Sequence, residues 1–102
     1  MATILYVRIK SDLDPEEMDR RLFERKPGFL EVPGLIQKVY GRDEETGDAC
    51  GIYFFENKEA LAAFRDTQLA KTIPAAYEAT DVRREVYEVL CSLRPEQGPL
   101  SE

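Results

Sequence analysis

The chain has no histidine and no tryptophan among its 102 residues, and only two cysteines. Without histidine it lacks the commonest general base, the usual proximal haem ligand, and most zinc and non-haem iron sites. Ser-His-Asp and Cys-His nucleophile systems are excluded within the chain for the same reason. Acid–base chemistry is left to Asp, Glu, Lys, Tyr, Arg or ordered water. Cys50 and Cys91 each fall in an apolar, strand-like stretch, which suits small buried hydrophobes better than a disulfide or a metal site. Also missing is any apolar run near the ~20 residues of a membrane span. The N-terminal MATILYVRIKSD alternates in polarity and has neither the basic start nor the apolar block of a signal peptide. A cytoplasmic protein is the expectation.

Positive charge is scarce too, with 14 basic residues against 20 acidic ones and a net charge of −6. A nucleic-acid partner calls for a basic stripe to neutralise phosphates. The nearest candidate, Arg20, Arg21, Arg25 and Lys26, is interleaved with Glu16, Glu17, Asp19 and Glu24. That interleaving reads as a solvated helix face, and no nucleic acid is expected. What is plentiful is the ordinary material of a soluble globular domain, 43% apolar and 33% charged residues. The length suits one domain, over residues 1–94, with the Pro-, Gly- and acid-containing 95–102 as a loose tail.

Thr3 to Lys10 alternates with a period of two, Leu5, Val7 and Ile9 on one face and Ile4, Tyr6 and Arg8 on the other, which predicts a strand. Asp14, Pro15 and Glu17 then form a helix start with a capping box. Met18 and Leu22 supply its apolar stripe, with Phe23 beside them. This helix is expected to end before Pro27-Gly28, because proline disfavours helix in the residue ahead of it. Phe29 to Val32 then reads as a connector into the turn Pro33-Gly34.

Leu35 to Arg42 reads as the second strand and Ala49 to Glu56 as the third. Between them the polar run Asp43 to Asp48 forms a hairpin loop, with Gly47 free to take a positive φ. Ile52 to Phe55 is apolar at every position, so both faces of the strand are expected to be covered. Gly51 inside it signals a close backbone approach or a bulge. Asn57 caps a second helix whose apolar side is Ala60, Leu61 and Phe64, a further short helical turn begins near Pro74, and a last strand is predicted over Val82 to Leu93.

The resulting order is β-α-β-β-α-β, the split βαβ of ferredoxin-like α+β domains. One four-stranded antiparallel sheet then carries both helices on one face. The strands are apolar on both sides, so the other face invites association. A homodimer with the sheet faces packed together is the economical expectation.

The run PGLIQKVYGRDEETG…CGIYFFENKEALAAF, followed by LAKTIPAAY and VRREVYEVL, resembles the YdhR-like monooxygenase family of the dimeric α/β-barrel superfamily. The similarity runs from the first strand to about Leu93. Where that family commonly has Gly-Gly ahead of Ile-Tyr, this chain has Cys50-Gly51. The resemblance implies a dimeric α/β barrel with a cleft between the helices and the concave sheet of each subunit. It also implies monooxygenase activity by analogy to better-studied relatives, some of which oxidise polyphenols without metal or flavin. Haem-degrading relatives use a histidine, which is absent here.

Tyr6, Tyr40, Tyr53, Tyr77 and Tyr87 are the best polar handles, since a tyrosine in an apolar cleft can bond a phenolic or carbonyl oxygen and stack on a ring. Its neutral proton suits donation to a developing enolate. Otherwise each is an ordinary sheet residue with its hydroxyl at a rim. Tyr53 and Tyr77 stand out because they lie in the family-like GIY and IPAAY segments. Arg8 and Lys38 sit in strands, where a cation needs an anionic substrate or an ion-pair partner such as Glu85 or Glu88. Lys38 can also stabilise a phenolate or superoxide. The acidic cluster Asp43, Glu44, Glu45 and Asp48 lacks calcium-loop spacing and reads as a solvated turn.

Tyr53 and Lys38 are therefore the expected catalytic residues, and Tyr6, Arg8, Tyr40, Tyr77 and Phe64 the expected substrate contacts. No metal and no cofactor are called for. The favoured function is a cofactor-independent monooxygenase acting on a small electron-rich aromatic or polyketide-like compound. An oxygen-independent isomerase or lyase on the same scaffold, and a non-catalytic dimer binding a small apolar or aromatic ligand, remain open beside it.

Overall fold

The computed structural model describes residues 1–101. Its elements are β1 (Thr3–Ser11), α1 (Pro15–Leu30), β2 (Leu35–Arg42), β3 (Ala49–Phe55), α2 (Lys58–Arg65), two single turns α3 (Gln68–Lys71) and α4 (Ile73–Ala76), and β4 (Ala79–Glu88), followed by a 3-10 turn at Pro95–Gln97. The strands form one antiparallel sheet in the order β2-β3-β1-β4. This is the ferredoxin-like α+β fold expected from the element order. Among the described residues, no helix is long and apolar enough to cross a membrane.

The local signals act where the sequence places them. The Asp14 carboxylate accepts from the Glu17 N–H at 3.0 Å and the Asn57 side chain from the Ala60 N–H at 2.8 Å, so both main helices start on a side-chain cap. In the hairpin, Gly47 takes φ 80°, and the Asp43 carboxylate accepts from the backbone of Glu45 and Thr46.

Pairing of Leu5 with Tyr53 and of Thr3 with Phe55 sets those residues, with Val7 and Ile9, on the face beneath the helices. There they are buried with Met18, Phe29, Leu61, Phe64 and Ile73. The opposite face carries Ile4, Tyr6, Ile52 and Phe54, half-buried with no helix over them. Beyond β4 the chain turns back alongside this face, where the Gln37 amide donates to the Leu100 carbonyl.

Three expectations need correction. Helix α1 does not stop before Pro27 but carries it inside and runs to Leu30. The missing N–H at Pro27 costs one helical bond, and the burial of Phe29 holds the extra turn in place. Phe29 is only 4% exposed, with ring centroids 6.0 Å from Tyr53 and 6.1 Å from Phe64. Phe23, read as flanking the apolar stripe, is instead 62% exposed. The last strand is Ala79–Glu88, not Val82–Leu93. Its partner β1 begins at Thr3, opposite Glu88, and past it only the Val89 N–H finds a strand-like acceptor, the Ala2 carbonyl at 3.0 Å. Cys91 consequently lies outside the sheet and exposed, while Cys50 is half-buried and both are free thiols.

If Phe29 holds the last turn of α1, truncating it should be expensive and truncating Phe23 should not. Phe29→Ala is expected to cost roughly 3 kcal/mol or more, the usual toll of emptying a buried aromatic site, and Phe23→Ala less than about 0.5 kcal/mol. Urea unfolding of the two variants checks this; equal losses would contradict it.

Candidate active site

In the antiparallel register of β2 and β3, Lys38 stands opposite Tyr53 and Tyr40 opposite Gly51. All four therefore face the helices. With Val7, Ile9, Met18, Leu22, Ile73 and Tyr77 they enclose a small cavity between sheet and helices, about 20 Å³ in volume. That is room for a water molecule. An aromatic ligand enters only once a flexible side chain gives way, and Lys38 is the one that fills the space. Gly51 is what lets it do so: a β-carbon there would lie 3.1 Å from Lys38 Cε and 3.2 Å from Tyr53 Cε1. The close approach signalled by this glycine is the lysine side chain crossing the strand.

Lys38 has no carboxylate within ion-pair distance among the described residues. Its Nζ lies 3.4 Å from the ring centroid of Phe29, 4.3 Å from that of Tyr40 and 4.4 Å from that of Tyr53. Ring faces attract a cation by ~2 kcal/mol at best, less than the loss of hydration costs it. Burial, and secondly repulsion from Arg25, lowers its pKa from 10.5 to about 6. The tyrosines move the other way. Burial raises Tyr40 to about 12 and raises Tyr53 and Tyr77 as well. At neutral pH the cavity thus holds an amine with a free lone pair beside three protonated phenols.

Arg25 was read with the solvated face of α1 and belongs elsewhere. Its guanidinium carbon lies 5.8 Å from the Phe29 centroid and 5.7 Å from that of Tyr77, and its Nη2 donates to the Leu69 carbonyl at 2.8 Å. Its Nε is buried without a partner among the described residues, as are the hydroxyls of Tyr40 and Tyr77. A buried polar group left unpaired costs ~1–3 kcal/mol. The signal for Arg25 was in the spacing, since Met18, Leu22, Arg25 and Phe29 follow the i, i+4, i+7, i+11 rhythm of the buried stripe.

The remaining candidates are not at this cavity. Phe64 stands behind Tyr53 with ring centroids 5.3 Å apart. Tyr6 and Arg8 lie on the opposite face of the sheet, in a shallow depression with Arg83, Glu85 and Tyr87. The ion-pair partners of Arg8 are not Glu85 or Glu88 but Asp43 at 2.8 Å and Asp48 at 2.9 Å, with Thr46 accepting a further bond at 3.0 Å. Two carboxylates of the hairpin loop are therefore engaged, not free in a solvated turn, and Arg8 lowers Asp43 to about 2. Among the described residues no group of three His, Cys, Asp or Glu comes together to hold a metal ion.

A family model described as "Putative mono-oxygenase ydhR" matches residues 4–95. The chain belongs to this family. No curated protein sequence matches it, but the fold recurs among solved structures. SnoaB, a cofactor-independent oxygenase from Streptomyces nogalater, is 12% identical with a TM-score of 0.76, over 91% of this chain and 97% of that one. Rv0793 from Mycobacterium tuberculosis is 13% identical with a TM-score of 0.72, over 90% and 98% of the two chains. At such identities the likeness is one of fold.

The lysine makes the ydhR-family chain's stability depend on pH in a calculable direction. Unfolded, Lys38 keeps its proton up to its ordinary 10.5; folded, it sheds it near 6. Between these values the unfolded chain binds more protons, so this group makes folding more favourable as pH rises. Lys38→Met removes the effect. From pH 7 to pH 9 its stability advantage over the parent is expected to shrink by roughly 2–3 kcal/mol. Chemical denaturation at the two pH values measures this, and an unchanged gap would show that the amine is not neutral in the fold.

Proposed function

We propose that the protein is a cofactor-independent monooxygenase that acts on a small electron-rich aromatic or polyketide-like compound. The observation that carries this reading is an unpaired lysine, poised near neutral pH, buried among the rings of Phe29, Tyr40 and Tyr53. Membership in the ydhR family and the shared fold with the oxygenase SnoaB support it.

Lys38 acts first as the base, its neutral amine taking the proton from a phenolic or enolic oxygen of the substrate. The electron-rich anion transfers one electron to oxygen, and the resulting radical and superoxide combine at carbon to give a peroxide. Loss of water from that peroxide leaves a carbonyl. One oxygen atom enters the product, the other leaves as water, and the substrate gives up two hydrogens. Once protonated, Lys38 is the cation that stabilises phenolate and superoxide in turn. Tyr40, Tyr53 and Tyr77, held protonated by burial, serve as donors and stacking surfaces.

Oxygen uptake by metal-free and flavin-free protein, over a panel of anthrones, naphthols and hydroquinones, tests the reading. Uptake above autoxidation is expected, rising with pH through about 6 as Lys38 loses its proton. Lys38→Met should lower turnover by about 10²-fold or more, the usual share of a general base, and Tyr53→Phe by less. Uptake at background, or uptake indifferent to Lys38, would overturn it. Product formed by the same lysine under anaerobic conditions would assign an isomerase or lyase instead.

The second half of the proposal is a homodimer through the open sheet faces. Ile4, Ile52 and Phe54 lie there without a helix to cover them, and Ile36 and Tyr87 are 51% and 49% exposed. Apolar surface of this kind marks an interface. Native mass spectrometry at micromolar protein should show a dimer that Ile52→Glu converts to monomer. A monomeric parent protein would refute it.

A further inference from the structure

We infer that the cavity beneath α1 binds its ligand as an anion, a planar aromatic or enolic acid whose oxygens bridge Lys38 and Arg25. The inference deepens the oxygenase reading by naming the charge state of the substrate, and it rests on that same site without depending on turnover.

The argument begins with the unmatched polar atoms. Buried polar groups are almost always hydrogen-bonded, and among the described residues the buried side-chain atoms that are not are Arg25 Nε, Tyr40 Oη and Tyr77 Oη. They cluster. Tyr40 and Tyr77 line the cavity with Lys38, and the Arg25 guanidinium lies over the Tyr77 ring. Lys38, Tyr40 and Tyr77 thus line one small space, Arg25 lies beside it against Tyr77, and among the described residues none of the four is paired with a carboxylate.

The elements around Lys38 agree on the sign of charge. β2 contributes Tyr40, β3 contributes Tyr53, α1 contributes Arg25, and the turn after α4 contributes Tyr77. β1 offers only Val7 and Ile9. Of the acidic residues of α1, Glu17 pairs with Arg20 and Arg21, Glu24 with Arg20 and Asp19 with Arg42, while Glu16 is exposed. In a molecule of net charge −6 the charged group flanking this cavity is the Arg25 cation. Without an anion, burial and the nearby Arg25 keep Lys38 from holding a proton. An anion between them offsets the field of Arg25, supplies acceptor oxygens and lets Lys38 take up a proton. The aromatic walls, Tyr53 and Tyr77, suit a flat ligand.

Binding of an anion must then take up a proton, because Lys38 is largely neutral in the empty protein and charged in the complex. Isothermal titration calorimetry of the full chain at pH 8 with 2-naphthoate, against the uncharged 2-naphthalenemethanol, reads this directly. The naphthoate is expected to bind at least ten-fold more tightly. Its apparent enthalpy should differ between phosphate and Tris buffers by the amount that corresponds to nearly one proton taken up. Lys38→Met should abolish the proton uptake. Arg25→Gln should weaken naphthoate at least ten-fold, while Arg25→Lys keeps most of the affinity. The removal of a buried amine in Lys38→Met does not endanger the fold, so the test survives if Arg25→Gln unfolds. Equal affinity for acid and alcohol, no detectable naphthoate binding, or uptake of no proton would each overturn the inference. Selective naphthoate binding by a protein inert toward oxygen would leave the anion site standing and remove only the oxygenase.

Discussion

The contact on which the rest of the structure turns is between the Phe29 ring and the Lys38 amine, 3.4 Å apart. Phe29 comes from the last turn of α1, which exists only because helical backbone continues through Pro27. Lys38 comes from β2 and reaches that ring by crossing Gly51 of the neighbouring strand. On the other side Phe29 joins Tyr53 and Phe64, and these meet Phe55. One aromatic cluster thus ties both main helices to the central strands, and its Tyr53 lines the cavity. Packing and chemistry are not separable here, since the rings that hold the fold are those that strip water from the lysine.

That arrangement has a thermodynamic consequence. A buried amine with no counter-ion works against folding at every pH below its ordinary titration range. Core burial on one face of a sheet has to offset it, and a chain of this length has little surplus. Nothing in the packing requires a lysine at this position; methionine would fill much the same volume. A buried base with no ion-pair partner among the described residues is the kind of local conflict that marks functional sites.

The division between what the residues announced and what they hid follows physical lines. Both helix caps, the Asp43–Asp48 hairpin and the β-α-β-β-α-β order were readable because each rests on contacts between residues close in the chain. The facing of β1 was not, because Leu5, Val7 and Ile9 alternate with Ile4 and Tyr6 and neither set is plainly polar. Only pairing with β3 decides it, and that sends Tyr6 and Arg8 away from the cavity while Lys38, Tyr40, Tyr53 and Tyr77 converge on it. The extent of β4 was hidden for a similar reason, since a strand ends where its neighbour does. Arg25 is the instructive case. Its charge suggested solvent, its spacing from Met18, Leu22 and Phe29 placed it on the buried stripe, and spacing prevailed because the guanidinium could lie over two rings.

The two sheet faces then divide the work. Beneath the helices lie the basic groups with free bonding capacity, Lys38 and Arg25. On the open face Arg8 is paired with Asp43 and Asp48. A satisfied cation is a brace: it pins the β2–β3 hairpin to β1 and fixes the register that puts Lys38 opposite Tyr53. An unsatisfied one is available to a ligand. The difference between the two sides is set by whether a carboxylate is within reach.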